Sequence, residues 1–202
     1  MSEPQKPDWQ PTEILKTAFG VASWAHKDCV RKGTSIPYIS HLLAVSALVI
    51  EHGGNEVQTA AALLHDVIED TEIDEFMLRA LVDEPVADIV VACSDTQKKP
   101  KPSWRPRKEK YLQHLREMIA EPEVNPAILV ALADKVHNAE TTADTVLHKS
   151  KTAKEIYDDP NFNAKVDEQK WWYSSLVTEF RKTTVGPKLV ERLDQAMKVI
   201  FK

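Results

Sequence analysis

Two polar, titratable side chains, His65 and Asp66, directly follow one of the most apolar stretches of the chain. The preceding residues, 60–64, read Ala-Ala-Ala-Leu-Leu and are expected to lie in the core. Burying a histidine and an aspartate is costly unless something satisfies them, and a divalent cation would do so, because neutral imidazole and ionised carboxylate are ordinary metal ligands. For an isolated His-Asp pair, N–H donation to backbone carbonyls would be the more common explanation.

The pair is not isolated, because Glu69 and Asp70 follow it at a spacing of four residues, one helical turn further on. Three carboxylates and an imidazole within six residues repel one another unless they share a cation. Acidic side chains at the C-terminus of a helix also oppose the helix dipole. The acidic cluster therefore favours a metal site over a solvated helix end.

Two more candidate ligands lie elsewhere in the chain. Asp134 interrupts an apolar stretch, with Asn138 one turn on along the same face, and His41 opens another predicted helix. The set then comprises two imidazoles and two carboxylates from three helices. Such mixed ligation suits a single Mn²⁺, Fe²⁺ or similar ion with open positions for water.

The elements that must position these side chains are expected to be helices. The chain has only five glycines, and its apolar residues recur at spacings of three and four, so we predict an all-α, single-domain fold. Residues 1–11 are expected to form a flexible tail before a domain over 12–202, with a core at about 22–142 and a helical extension at about 150–202. The predicted helices are one from Thr12 that ends before Gly33, one from His41 to Gly53, one capped by Asn55, then Ile73–Val82, Pro85–Cys93, Glu109–Ala120, one from Asn125, Trp171–Phe180 and a last one to Phe201. Gln97–Pro106 is expected to be irregular because three prolines interrupt it.

Composition excludes several classes of protein. The net charge of −5 argues against a general nucleic-acid binder, and no apolar run is long enough to span a membrane. The polar N-terminus lacks the apolar core of a signal peptide, so a cytoplasmic location is expected. Cys29 and Cys93 fit no zinc or CxxC spacing and are expected to be reduced thiols.

The order His41, His65-Asp66, Asp134 resembles the H…HD…D pattern of the HD superfamily. The surrounding words are Tyr-Ile-Ser-His at 38–41, Ala-Leu-Leu-His-Asp-Val-Ile-Glu-Asp-Thr at 62–71 and Leu-Ala-Asp-Lys-Val-His-Asn at 132–138. They are similar to the hydrolase domain of RelA/SpoT homologues and to small alarmone hydrolases. Those proteins remove the 3′-pyrophosphate of (p)ppGpp, usually with Mn²⁺. The resemblance spans about residues 22–142, and because no synthetase or regulatory region is recognised after residue 150, a stand-alone hydrolase is expected.

The resemblance implies a role for each matching residue. His41, His65, Asp66 and Asp134 would be the four metal ligands. Glu69 and Asp70 would be the acidic pair that orients or deprotonates the attacking water and assists the leaving group. The substrate-binding residues would be Arg31, Lys32, Tyr38 and Asn138. A nucleotide is then the expected partner, and an aromatic C-terminal helix could provide a homodimer face.

Two departures from the family pattern bear on the substrate. The stretch Cys93-Ser94-Asp95-Thr96 lacks the lysine that commonly follows threonine there, and Ala139-Glu140 replaces an arginine that commonly follows the asparagine. Both departures remove positive charge near a site for polyphosphate. A basic segment over 97–110 around Trp104 could compensate as a lid that grips phosphate, or it could be an ordinary solvated surface.

Three hypotheses follow. The first is hydrolysis of a 3′-pyrophosphate nucleotide with a guanine or adenine base, which the retained Glu69-Asp70 and Arg31-Lys32 pairs favour. The second is an HD-type nucleotidase or phosphomonoesterase, for which the two charge losses leave room. The third is a metal-bearing domain that binds a nucleotide without turnover; loss of a ligand would have supported it, and none is lost. Five other histidines are expected to lie on the surface or in packing, with His26 the one of interest near Arg31; the others are His52, His114, His137 and His148.

Overall fold

The computed structural model describes residues 6–98, 100–121, 123–148 and 151–202, and these residues form an all-α fold. The helices are α1 (Glu13–Ala25), α2 (Ile39–Glu51), α3 (Glu56–Leu64), α4 (Val67–Asp70), α5 (Glu75–Leu81), α6 (Glu84–Cys93), α7 (Trp104–Ala120), α8 (Ala127–His148), α9 (Ala153–Tyr157), α10 (Val166–Phe180) and α11 (Pro187–Ile200). Within the described ranges, the β-contact is one isolated bridge between Val30 and Pro37. The predicted fold class is confirmed.

Short polar side chains determine where several helices begin. The Thr12 hydroxyl accepts the N–H of Ile14 at the start of α1. Asn55 and Gln58 form a capping box at the start of α3, in which each side chain accepts the other residue's backbone N–H. Because the first N–H groups of a helix have no intrahelical acceptor, these caps stabilise the two starts that the sequence predicts.

The long helix α8 forms the centre of the core. Its face of Ile128, Leu129, Leu132 and Val136 is buried, as the sequence predicts. It packs against α2, α3 and α6, and most extensively against the amphipathic α11. Asp134 lies within this buried helix, so the core itself positions a carboxylate.

A tight two-glycine turn brings α3 back alongside α2. Gly53 has a φ of +83°, a conformation that residues with a side chain rarely adopt. A Cβ built on Gly54 would lie 2.3 Å from the Val49 side chain, so the approach of the chain to α2 requires glycine there. This turn places His41 of α2 and the end of α3 next to each other.

Among the helix boundaries that differ from the predictions, three involve residues of the candidate site or of its surroundings. The first is α7, which begins at Trp104, so 104–106 are helical although the prolines predicted otherwise. Pro106 is the third residue of α7, where its missing N–H has no intrahelical acceptor to lose. The second is α10, which begins at Val166, five residues before the predicted start. The third is α2, which begins at Ile39, so His41 is its third residue and does not open it.

The residues at the chain's beginning are only partly described. Of the predicted tail 1–11, residues 1–5 lie outside the described ranges, as do Lys99 of the basic segment and residues 149–150 at the predicted start of the extension. Trp9 lies against the fold, and its indole N–H donates to the Gly54 carbonyl at 3.1 Å. Among the helices described, none is long and apolar enough to cross a membrane.

Candidate metal centre

Two buried histidines point their Nε2 atoms at the same place. His41 lies on α2, and His65 lies in the turn between α3 and α4, so the prediction that His65 and Asp66 continue the helix is wrong. The Nδ1 of His65 lies 2.8 Å from the Ala62 carbonyl and donates to it, so Nε2 is the atom available to a cation. Burial opposes its charge, but Asp66 and Asp134 raise the pKa of His65 well above the ordinary value, so a bound cation would displace the Nε2 proton. Both Nε2 atoms are buried, and neither has a hydrogen-bond partner among the described residues.

Two carboxylates complete the cluster. Asp66 Oδ2 lies 3.0 Å from His65 Nε2 and 3.6 Å from His41 Nε2. Asp134 Oδ1 lies 3.2 Å from His41 Nε2 and 3.5 Å from His65 Nε2. The turn after α3 matters here, because it aims both the imidazole and the adjacent carboxylate at α8.

This donor set fits a divalent cation. One ligand atom each from His41, His65 and Asp66 lie within 4.8 Å of one another, and Asp134 borders the same space. Buried imidazole nitrogens without partners are costly unless a ligand uses their lone pairs. Two nitrogen and two oxygen donors are a common set for a first-row transition metal.

Both carboxyl groups are held in the form that binds a metal. Burial opposes ionisation of Asp66, yet His65 and His41 hold the pKa of that carboxyl well below its ordinary value. Burial likewise opposes ionisation of Asp134, yet Lys135 and the two imidazoles hold its pKa well below the ordinary range. A cation placed among these groups would find anionic oxygen ligands.

Tyr38 supports Asp66 from the entrance to α2. Its hydroxyl donates to Asp66 Oδ2 at 2.6 Å. Burial first, and then the charge of Asp66, raise the pKa of the Tyr38 phenol far above its ordinary value, so it remains a donor. His26 stacks on the Tyr38 ring at 5.0 Å and is 3% exposed, and burial lowers its pKa. Tyr38 therefore contacts a candidate ligand directly.

His137 is a site residue that the sequence analysis assigned to packing or surface. Its Nδ1 lies 2.7 Å from Nδ1 of His41. Burial first, and then the nearby His41 and Arg31, lower the pKa of His137 to about 4, so its ring is neutral at pH 7 and can accept a hydrogen bond. With His41 donating from Nδ1, its Nε2 lone pair faces the candidate metal position. The spacing of three residues from Asp134 was the available signal.

The acidic pair Glu69 and Asp70 lies on α4 beside this cluster. Lys101, from the basic segment, places its Nζ 2.7 Å from Asp70 Oδ1 and 3.5 Å from Glu69 Oε2. Burial opposes protonation of Lys101, but Asp70 and Glu69 raise its pKa. Part of the basic segment therefore lies at the site, which decides against an entirely solvated surface.

Positive charge is also present inside the core next to the candidate ligands. Lys135 pairs with Asp134 Oδ2, and Lys108 and Arg107 of α7 pair with Asp95. Burial opposes the charge of Lys135, but Asp134 raises its pKa well above the ordinary value. The sequence predicted a loss of positive charge at 93–96, and Arg107 and Lys108 of α7 supply positive charge next to Asp95.

The predicted substrate residues line one large cavity. Its volume is about 1110 Å³, and Arg31, Lys32, Tyr38, Asp70 and Asn138 are among its lining residues. Arg31 donates to Asn138 Oδ1 at 2.7 Å, and Asn138 in turn donates to Asp134 Oδ1 at 2.5 Å. Lys32 is exposed and lies 5.9 Å from the Phe162 ring. The structure thus brings the four predicted substrate residues to the same cavity, next to the candidate ligands.

Comparison with known proteins defines the family. The model of a family described as an HD domain matches residues 18–158, which is most of the chain. The chain belongs to the HD domain family. The matched range includes the four candidate ligands and the acidic pair, and it ends before α10 and α11 begin.

Curated relatives of this HD domain are much longer proteins. A probable guanosine-3′,5′-bis(diphosphate) 3′-pyrophosphohydrolase of Synechocystis is 36% identical over 132 residues, which are 65% of this chain and 17% of that protein. The bifunctional (p)ppGpp synthase/hydrolase SpoT of Escherichia coli K12 is 37% identical over 63% of this chain and 18% of its own length. The chain therefore spans less than a fifth of each of these relatives.

Two solved structures share the fold of this HD domain. One, described as a metazoan orthologue of SpoT that hydrolyses ppGpp, superposes with a TM-score of 0.73 at 22% identity and covers 94% of this chain and 97% of that one. A crystal structure of a Listeria monocytogenes protein superposes with a TM-score of 0.64 at 26% identity, over 84% of this chain and 100% of that one. The likeness extends over the C-terminal helices, beyond the family match.

The C-terminal helices contribute to the site of this HD domain and to its stability. Glu140, which replaces the arginine common at that position, accepts two hydrogen bonds from Arg192 of α11 at 2.7 and 2.8 Å. Its charge is therefore offset within the protein.

Trp172 of α10 lines the cavity and packs edge-on against Tyr111, while Arg105 lies 3.4 Å over the Trp171 ring. These aromatic residues pack within the chain.

Proposed function

We propose that this HD domain hydrolyses the 3′-pyrophosphate of an alarmone nucleotide, (p)ppGpp or (p)ppApp, and releases pyrophosphate. One observation carries the proposal: two buried imidazole nitrogens without partners face two carboxylates at the edge of a cavity lined by cationic side chains. His41, His65, Asp66 and Asp134 would hold the cation, for which we propose Mn²⁺. The Synechocystis and Escherichia coli relatives are named for activities on guanine alarmones, which supports this class of substrate.

The cation, when bound, would lower the pKa of a coordinated water and offset charge on the attacked phosphorus. The protein's own groups would do the rest of the chemistry. Asp70 lines the cavity and can accept a proton from the attacking water, and Glu69 can give a proton to the leaving ribose oxygen. Tyr38 keeps Asp66 oriented through its 2.6 Å hydrogen bond.

The cavity suits a nucleotide with several phosphates. Its volume of about 1110 Å³ is at the upper end of ordinary small-molecule sites. Lys108 and Lys135 line it close to the acidic pair, and Arg31 and Lys32 line it beyond Asn138. We infer that phosphates occupy the part nearest Asp134 and that the base and ribose extend towards Arg31, whose guanidinium lies 5.6 Å from the Tyr38 ring.

We also propose a cytoplasmic location, where such a nucleotide would be found. Direct binding of nucleic acid is not part of the proposal, because the net charge is −5 and a general nucleic-acid binder is basic. A homodimer through the C-terminal helices stays a prediction, and size-exclusion chromatography with light scattering would test it.

Product analysis by ion-exchange chromatography tests the function. Purified protein with Mn²⁺ would be incubated separately with ppGpp, ppApp, a 3′-monophosphate nucleotide and a deoxynucleoside triphosphate, with Asp66→Ala as control. We expect pyrophosphate from ppGpp or ppApp and none with the variant. Orthophosphate from the monophosphate alone would contradict the proposal and indicate a nucleotidase. Metal binding without turnover of any of these nucleotides would contradict it in favour of a binding role.

A further inference from the structure

A third buried carboxylate, Asp95, lies against Glu69 in the segment after α6. Its backbone N–H donates to Glu69 Oε1 at 2.9 Å, and each carboxyl group shifts the pKa of the other. The Asp95 side chain is 3% exposed and that of Glu69 is 14% exposed. Two buried carboxylates side by side repel each other, and a proton on one of them removes the repulsion and allows a hydrogen bond between the two groups.

The surroundings decide which carboxyl carries the proton. Asp95 Oδ2 accepts hydrogen bonds from Lys108, at 2.5 Å, and from Arg107. Burial opposes its ionisation, but these two cations hold the pKa of Asp95 below its ordinary value. Burial first, and then the charges of Asp95 and Asp66, raise the pKa of Glu69 to about 7. When the pair holds one proton, that proton therefore lies on Glu69.

The other oxygen of Asp95 supports this assignment. Asp95 Oδ1 is buried and, as long as Glu69 is ionised, has no hydrogen-bond donor among the described residues. A protonated Glu69 is the neighbour that can donate to it. The acceptor is then satisfied and the second buried charge is removed in one step.

Other charged groups around Glu69 act in both directions. Asp66 favours the protonated form, whereas Lys101, at 3.5 Å from Oε2, favours the ionised form. The remaining ionisable groups in its field, on α6, α7 and α8, are Cys93, Lys108, Tyr111 and Lys135. The backbone N–H of Asp95 also favours the ionised form, but the negative charge of Asp95 is the largest influence after burial that raises the pKa of Glu69.

We propose that Asp95, anchored by Arg107 and Lys108, is a positioning residue that keeps Glu69 protonated, so that Glu69 is the proton donor of the reaction. The proposal rests on the function proposed above. Water oxygen bonds to the phosphorus linked to the ribose 3′-oxygen, and the bond from that phosphorus to the ribose oxygen breaks. The water proton passes to Asp70 and the Glu69 proton to the ribose oxygen, and exchange with solvent then restores both carboxyls.

A carbon NMR titration tests the proton directly, without any substrate. The metal-free full chain would be labelled at the glutamate side-chain carboxyl carbons, and Glu69→Gln would identify the Glu69 signal. We expect Glu69 to titrate near neutral pH in the wild type and at least about one pH unit lower in Asp95→Asn, because the negative charge beside it is gone. Asp88→Asn is the matched control, because it changes an exposed carboxylate of α6 that pairs with Arg79 of α5. It should leave the pKa of Glu69 unchanged.

Two results would overturn the proposal: an ordinary carboxyl pKa for Glu69 in the wild type, or an unchanged Glu69 pKa in Asp95→Asn. An ordinary pKa for Glu69 in the wild type would overturn the proposal even if Asp95→Asn does not fold. Asp95→Glu then serves as the second variant and should keep the Glu69 pKa raised.

Kinetics with the Mn²⁺-loaded enzyme supply a second measurement. Because Glu69 must be protonated to donate, kcat/KM should fall as pH rises through its pKa, and Asp95→Asn should move this alkaline limb to lower pH. A uniform loss of activity at every pH would show a merely structural role and would contradict the proposal. Failure of the wild type to release pyrophosphate would instead refute the proposed function, while the NMR titration would still decide the role of Asp95.

Discussion

The chain buries two groups of carboxylates side by side, and it neutralises them in different ways. In the candidate metal centre, Asp66 and Asp134 face imidazole nitrogens of His41 and His65 that have no hydrogen-bond partner among the described residues. In the second group, Glu69 and Asp95 face each other, and Lys101, Lys108 and Arg107 supply the positive charge.

The difference shows what identifies a metal site within a set of buried acids. Carboxylates alone do not, because lysine, arginine and one proton can satisfy them, as around Asp95. Two imidazole nitrogens without hydrogen-bond partners that point into the same space do identify a metal site, because a ligand is needed there. The candidate metal centre has this feature at His41 and His65, whereas among the residues described the Glu69–Asp95 pair has no imidazole partner in its hydrogen bonds.

The largest effect on activity is expected from Asp66→Asn, which removes an anionic candidate ligand from the candidate metal centre. We expect loss of tight Mn²⁺ binding and at least roughly a 10³-fold fall in kcat/KM, since the ion supplies several kcal/mol of charge stabilisation. Calorimetric titration with Mn²⁺ and a pyrophosphate assay measure the two effects. Asp88→Asn is the control with the same chemical change at an exposed position. Unchanged Mn²⁺ affinity in Asp66→Asn would remove Asp66 from the ligand set.

Glu69→Gln separates the two groups. It should keep Mn²⁺ affinity but reduce kcat by a factor of about 10² to 10⁴, because the amide cannot give up a proton in a general acid step. Loss of Mn²⁺ binding in this variant would contradict the separation and place Glu69 among the ligands.

The same variant also gives a stability prediction with a definite sign. The folded pKa of Glu69, about 7, lies above the ordinary glutamate value, so wild-type stability falls as pH rises from about 4 to 7 and the full cost is present above 7. Glu69→Gln removes this cost. In metal-free protein, urea unfolding should show the variant more stable than wild type at pH 8, by up to ~3 kcal/mol, and no more stable at pH 4. An equal difference at both pH values would refute the raised pKa.

A smaller effect on metal affinity is expected from His137→Ala, which acts on the candidate metal centre through His41. Without an acceptor at 2.7 Å from His41 Nδ1, the tautomer with a free Nε2 is less favoured. We expect Mn²⁺ affinity to fall by about 10- to 100-fold, as is typical when the partner of a metal-bound histidine is lost. His137→Gln, which keeps an acceptor oxygen, should recover part of the affinity. Calorimetry that finds wild-type affinity in His137→Ala would contradict this role.

The smallest effect is expected outside both groups, at Glu140. Glu140→Gln should lower the free energy of unfolding by roughly 0.5–1 kcal/mol, because its ion pair with Arg192 is more than a third exposed and is screened by solvent. KM for the nucleotide should not change, since Arg192 already offsets the charge. A clear fall in KM would show instead that Glu140 repels the phosphates.

The features that could be predicted from the sequence are those that depend on residues close together in the chain. The apolar run 60–64 located His65 and Asp66, the Asn55 cap located α3, and the buried face of α8 located Asp134. Contacts between distant segments could not be read in this way. Lys101 reaches Asp70 over 31 residues, and Arg192 reaches Glu140 over 52, with no periodic pattern to link them.

Two local features were also misread, each for a physical reason. The prolines at 100, 102 and 106 predicted a break, but Pro106 falls in the first turn of α7, where proline is tolerated. His137 was assigned to packing or surface because a single histidine usually has such a role. Its contact with His41 depends on how α2 crosses α8, which no pattern within either helix specifies.

The central claim is that one cation, held by His41, His65, Asp66 and Asp134, makes this HD domain an alarmone hydrolase. The most direct test is to titrate Mn²⁺ into the metal-free protein in the presence of ppGpp or ppApp and to follow pyrophosphate release. We predict no release without metal and a rise in rate that saturates at one ion per chain. Release by the metal-free protein, or no release after the site is filled, would contradict the claim.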